Sequence, residues 1–170
     1  MKKYICGIAA TIVLLLLDQY TKYLAVVHLK GQQAIPLIRD VFELQYLENR
    51  GAAFGSFQGK QGMLFLITVV ALLAMLYVYV KLPRTKRFVP LEITIILLIS
   101  GAVGNMIDRV MQQYVVDFFY FKLINFPIFN VADCYVTVAM VLLIILVGFI
   151  YKDEEFEFLR SKKESYETGR

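Results

Sequence analysis

Asp117, in Val-Val-Asp-Phe-Phe, and Asp133, in Phe-Asn-Val-Ala-Asp-Cys, stand sixteen residues apart in a chain that is 59% hydrophobic. A carboxylate in apolar surroundings is costly, so such groups face a cavity or a partner and mark functional positions. Two held close together share one proton, because both cannot ionise cheaply. That pairing suits amide hydrolysis with neither metal nor covalent intermediate. One carboxylate takes a proton from water while one carboxylic acid donates to the carbonyl oxygen or the leaving nitrogen. Asp133 lies where the first turn of an expected helix attracts negative charge, whereas Asp117 is flanked by Val116, Phe118 and Phe119. Asp133 is therefore expected to activate water and Asp117 to begin as the acid.

Other polar residues recur at helical spacing. Asp18 and Lys22 are i and i+4, placed to pair on one face. Gly101, Asn105 and Asp108 form a second stripe, and Ser100 with Gly104 makes a small-residue pair that admits a neighbouring helix. Asp108 falls near a helix C-terminus, where the dipole disfavours an anion, so it needs a cation; Arg50 and Arg109 are the expected candidates. Each also has an ordinary structural reading. Asp18 with Lys22 would be a packing ion pair, Arg109 a side chain snorkelling to lipid phosphates, and Asn130 with Asp133 a helix cap. Those readings leave unexplained why all of them occur at one depth.

The depth follows from the apolar runs that must carry these residues. Four spans, about 4–27, 63–80, 88–109 and 131–150, each approach the roughly 20 residues needed to cross a bilayer. They predict an all-α membrane protein: one four-helix domain over 1–150, external segments 28–62 and 110–130, and a charged cytoplasmic tail over 151–170 expected to be solvated. Lys2, Lys3, Lys81, Arg84, Lys86 and Arg87 set the inner side by the positive-inside rule, so both termini are expected in the cytoplasm. Asp18-Gln19-Tyr20-Thr21-Lys22 after the first run lacks a small-residue cleavage pattern, so that run reads as a retained anchor. Asp18 lies fifteen residues beyond Lys3, roughly 22 Å along a helix. Asn105, Asp108, Arg109, Asn130 and Asp133 reach the same outer level. A transporter would place its site nearer the midplane and often repeat its topology. Cys6 and Cys134 fall at opposite ends of their helices and support no disulfide. The single His28 lies outside every cluster, leaving a histidine triad or zinc site without its parts. An alternative using Asp108, Asp117 and Asp133 as metal ligands, or carboxylates that carry protons in a transporter, stays open at this point.

The first external segment is patterned. From Val41 to Leu47, Phe42, Leu44 and Tyr46 alternate with Glu43 and Gln45, predicting a half-buried strand in a small external β platform able to pair with an extended peptide. Asn49-Arg50-Gly51-Ala52-Ala53-Phe54-Gly55 follows, with small residues that permit a tight turn.

Five ordered stretches resemble the motifs of bacterial lipoprotein signal peptidase (signal peptidase II). They are Asp18-Gln19-x-Thr21-Lys22, Asn49-x-Gly51-x-Ala53-Phe54-Gly55, Gly101-Ala102-x-Gly104-Asn105-x-x-Asp108-Arg109, Val115-Val116-Asp117-Phe118 and Phe129-Asn130-x-Ala132-Asp133. Ser100 departs from the family, which often has glycine there. The resemblance implies an aspartic endopeptidase of the bacterial cytoplasmic membrane that cleaves prolipoproteins just before a diacylglyceryl-modified cysteine. It implies Asp117 and Asp133 as the catalytic pair. Asp18, Lys22, Asn49, Arg50, Gly51, Phe54, Gly55, Gly101, Gly104, Asn105, Asp108, Arg109, Asn130 and Ala132 would shape the site. The expected partners are lipid-modified prolipoproteins and membrane lipids, with no nucleic acid, no cofactor and no metal, and the expected state is a monomer.

Overall fold

The computed structural model describes residues 2–51 and 61–159. Four helices dominate: α1 (Lys2–Leu29), α2 (Gln61–Lys81), α3 (Val89–Gln112) and α4 (Val131–Ile145), the last continued by one π turn to Ile150. All four are long and apolar enough to cross a membrane once that turn and the short 3-10 lead-in to α3 are included. Their outward faces carry large apolar side chains such as Ile8, Leu16, Leu66 and Ile144, each more than half exposed, as a lipid-facing surface requires. α3 is the hub. It packs against α1, α2 and α4.

Two apolar clusters brace opposite ends of the bundle. At one end Tyr79, Leu82, Phe88, Leu91, Ile95, Leu146 and Tyr151 pack together. The tail begins here with Lys152, Asp153, Glu154 and Glu157 exposed, while its aromatic side chains turn back to the bundle. Asp153–Leu159 winds in 3-10 turns, Phe158 meets Phe88 with ring centroids 5.5 Å apart, and Arg87 Nε donates to Glu155 at 2.9 Å. Aromatic contact and one largely exposed ion pair hold this first stretch of the tail against the helices. At the other end Ala25 and Leu29 of α1 pack on Val116 and Phe118.

Val116 and Phe118 belong to a three-stranded antiparallel sheet of order β1 (Ile35–Ile38), β2 (Phe42–Asn49), β3 (Val115–Tyr120). The expected strand is thus β2, two residues longer at its end than the alternation indicated. Glu43 breaks the predicted alternation: it is buried, and Lys122 Nζ donates to it at 2.7 Å. β3 places Asp117 on a strand where a plain link was expected. Between the pairs Leu44–Phe119 and Leu47–Asp117 the register shifts, so a bulge lies beside Asp117. Such bulges re-aim neighbouring side chains.

Candidate active site

The approach of α4 to β3 builds the centre. Phe129 pairs with Phe119, its carbonyl accepting from the Phe118 and Phe119 amides at 3.0 and 2.8 Å. The next residue is Asn130, which caps α4. Its side chain accepts from the Asp133 amide at 3.0 Å while Asp133 Oδ2 accepts from the Asn130 amide at 3.1 Å. The same Asn130 donates Nδ2 to Asp117 Oδ1 at 2.6 Å. The helix-cap reading of Asn130 and Asp133 therefore holds together with the site reading, and the cap is what aligns Asp133 with Asp117.

Each carboxylate is held at both oxygens. Asn49 Nδ2 donates to Asp117 Oδ2 at 2.8 Å, and Asn105 Nδ2 to Asp133 Oδ1 at 2.8 Å. Asp117 is 1% exposed. Burial, and then the charge of Asp133, push its carboxyl up to about 7, against the pull of Asn49, Asn130 and Lys22. At neutral pH that group keeps a substantial share of a proton.

Behind the pair lies a second buried layer. Lys22 Nζ lies 2.9 Å from Asp18 Oδ2, 3.1 Å from Asp108 Oδ2 and 2.9 Å from Asn105 Oδ1, so all three ammonium hydrogens are committed. This corrects the expected cation for Asp108. Arg50 turns to Glu48 at 3.3 Å and to the Tyr114 ring, with its side chain largely exposed; Arg109 donates to the Asn105 and Gly51 carbonyls at 3.3 and 3.2 Å. Lys22 wins because it projects from a helix packed directly on α3. Arg109 instead ties α3 to the end of β2, and its Nε has no partner among the described residues.

Asp18 and Asp108 each anchor a backbone amide. Asp18 Oδ1 accepts from Ala132 N at 3.0 Å, and Asp108 Oδ2 from Val116 N at 3.1 Å. Those amides belong to the residues immediately before Asp133 and Asp117. Close helix approach makes this possible. A Cβ on Gly101 would lie 2.6 Å from the Ala132 carbonyl oxygen, and one on Gly104 2.5 Å from Asp18 Oδ2. The close contacts therefore run through Gly101 and Gly104, while Ser100 is buried with its hydroxyl bonded to Ile96 O at 2.7 Å.

The structure thus brings Asp18, Lys22, Asn49, Gly51, Gly101, Gly104, Asn105, Asp108, Arg109, Asp117, Asn130, Ala132 and Asp133 into one connected centre. The Arg50 side chain stands apart, and Phe54 and Gly55 lie outside the described residues. Gln19 stands in the first of the five motifs but not among the expected site residues, and the structure adds it to them. Its Nε2 reaches Asp18, Asp108 and the Gly104 carbonyl, and its signal was a third polar side chain beside Asp18 and Lys22 in an otherwise apolar run.

The sequence model described as signal peptidase (SPase) II matches residues 10–149. The lipoprotein signal peptidase of Clostridium tetani (strain Massachusetts / E88) is 45% identical over 146 residues, 84% of this chain and 90% of that one. The lipoprotein signal peptidase of Clostridium novyi (strain NT) is 40% identical over 136 residues, 78% and 90% of the two chains. A bacterial membrane enzyme solved by the in meso method at 2.3 Å resolution superposes with a TM-score of 0.76 at 31% identity, covering 87% of this chain and 92% of its own. A second such structure, at 1.9 Å, gives 0.73 at 32% identity over 86% and 94%. Since the matched stretch runs from α1 into the last turn of α4 and takes in both carboxylates with their supports, the chain belongs to the signal peptidase II family of membrane peptidases.

Proposed function

We propose that this protein is an aspartic endopeptidase that removes signal peptides from diacylglyceryl-modified prolipoproteins, cutting just before the lipidated cysteine. The observation that carries this reading is the Asp117–Asn130–Asp133 arrangement, a buried and a half-buried carboxylate joined through one asparagine at the sheet end of a membrane bundle. Asp117 holds the shared proton in the resting state, and Asp133 takes a proton from water. The water oxygen bonds to the scissile carbonyl carbon as Asp117 donates to the carbonyl oxygen. The tetrahedral intermediate then collapses: the C–N bond breaks, the proton held by Asp133 passes to the leaving nitrogen, and one hydroxyl of the intermediate returns its proton to Asp117 as the new carboxyl group forms, which restores the starting state.

The basic side chains of the α2–α3 link lie at the bundle end opposite the carboxylates, which supports cytoplasmic termini and a site near the outer face of the bacterial inner membrane. There the protein acts as a monomer. Acyl chains reach the site from the bilayer between apolar helices, and the peptide meets the end of β2 from above. Lipid then acts mainly by orienting the scissile bond.

The test is incubation of purified protein with a diacylglyceryl-modified prolipoprotein, with masses measured for both products. Wild type yields a fragment beginning at the lipidated cysteine, in the presence of a chelator as in its absence. Asp117→Asn and Asp133→Asn each lose about 10³-fold or more in kcat while staying folded, since neither amide completes the acid-base cycle. Near-normal turnover by either variant would remove that residue from the mechanism.

A further inference from the structure

Gln19 projects from α1 between the two carboxylates of the second layer. Its Nε2 lies 3.1 Å from Asp18 Oδ2, 3.1 Å from Asp108 Oδ1 and 3.3 Å from the Gly104 carbonyl oxygen. Three acceptors around one terminus identify that terminus as the nitrogen of the amide. Lys22, with every hydrogen committed, serves Asp18 Oδ2 and Asp108 Oδ2 and leaves Asp108 Oδ1 alone. Among the described residues the Gln19 amide is the one hydrogen-bond donor to that oxygen.

We propose that Gln19 is a positioning residue for peptide hydrolysis: by clasping Asp18 to Asp108 it fixes the Ala132 and Val116 amides, and through them the spacing of Asp133 and Asp117. The proposal rests on the catalytic reading of that pair. Without the amide, Asp108 turns its uncompensated oxygen toward Lys22 and loosens its hold on Val116 N, one residue from Asp117. Asp18 likewise loses one of its donors while gripping Ala132 N, one residue from Asp133. Gln19 touches neither member of the pair. It also borders an open cavity of about 190 Å³ shared with Lys22, Tyr23, Asp108 and Val116, so an acid placed there exchanges protons with water.

That exchange separates positioning from simple packing. Gln19→Met keeps the volume and removes the donor. Gln19→Glu does so only when ionised; once protonated, its carboxylic acid donates one hydrogen bond again. The titratable groups that face position 19 are Asp18, Lys22 and Tyr23 on α1 and Asp108 on α3, while β3 brings Val116 to the same cavity.

The experiment measures kcat and KM on a diacylglyceryl-modified prolipoprotein in detergent micelles across pH 5 to 9, with thermal midpoints for each variant. Gln19→Met is expected to lose on the order of tenfold to a hundredfold in kcat at nearly unchanged KM, the cost of a slightly misplaced catalytic group. Gln19→Glu is expected to match it in alkaline buffer and to regain activity relative to wild type as pH falls. Wild-type kcat in Gln19→Met, or a Glu-to-wild-type ratio flat across the range, overturns the proposal. If Gln19→Met fails to fold, the pH series of Gln19→Glu decides alone, and if neither variant folds the residue is structural and the proposal falls. A wild-type protein that leaves the substrate uncut sinks the peptidase reading instead.

Discussion

Asp117 accepts hydrogen bonds from two asparagine amides, which favour its ionised form, and is still pushed up to about 7 because burial and the neighbouring Asp133 outweigh them. The sign of the consequence follows from its role. As the group that must begin protonated, it works below that value and is lost as the acid when pH rises through it. The prediction is a kcat/KM that declines on the alkaline side of about pH 7, by up to tenfold per further unit. Asn49→Ala removes a bond that favours the anion, so the alkaline limb should move to higher pH in that variant. A rate still climbing at pH 9, or a limb unmoved by Asn49→Ala, would contradict the assignment of Asp117 as the acid. Asn130 shows why single residues resist single labels. A cap pattern and a site pattern coincide there, and the coincidence is the mechanism by which helix geometry fixes a carboxylate.

At the scale of elements, the helices were legible because four runs of the right length admit few other readings, whereas β3 was not. Val115, Val116, Asp117 and Phe118 are all buried, so the strand shows no period-two alternation and reads as a plain apolar stretch. Nor does local spacing reveal that Asp108 pairs with Lys22 on another helix; Arg109 is its chain neighbour and Arg50 lies in the external segment, yet packing brings neither guanidinium to it. Glu43 was misjudged in the same way, since its partner Lys122 is distant in sequence. The glycines were readable as close-approach positions, but which neighbour they admit was not. That neighbour now gives a prediction. Gly101→Ala pushes a methyl against the Ala132 carbonyl and Gly104→Ala pushes one against a pinned Asp18, so each should lower stability by about 1–3 kcal/mol and lower turnover as well. Thermal midpoints in detergent, beside cleavage rates, check both.

At the scale of the whole molecule, one end of the bundle is braced by aromatic packing and the other by a hydrogen-bonded polar centre, with α3 running between them. The polar centre has a consequence for how the protein is made. Gln19 and Asp108 are separated by 89 positions, so α1 leaves the ribosome and enters the bilayer long before α3 exists to receive it. During that interval Lys22 has one counter-ion within reach, Asp18 on the next turn of its own helix. An unpaired lysine within a span costs about 3 kcal/mol at insertion. Asp18→Ala should therefore reduce the fraction of newly synthesised chains that resist alkaline extraction from membranes, and Asp18→Ala with Lys22→Leu should restore it without restoring cleavage. Equal extraction resistance in all three proteins would show that α1 inserts without this pair. On this view the ion pair that later anchors the site first serves as the passport of α1 through the insertion machinery.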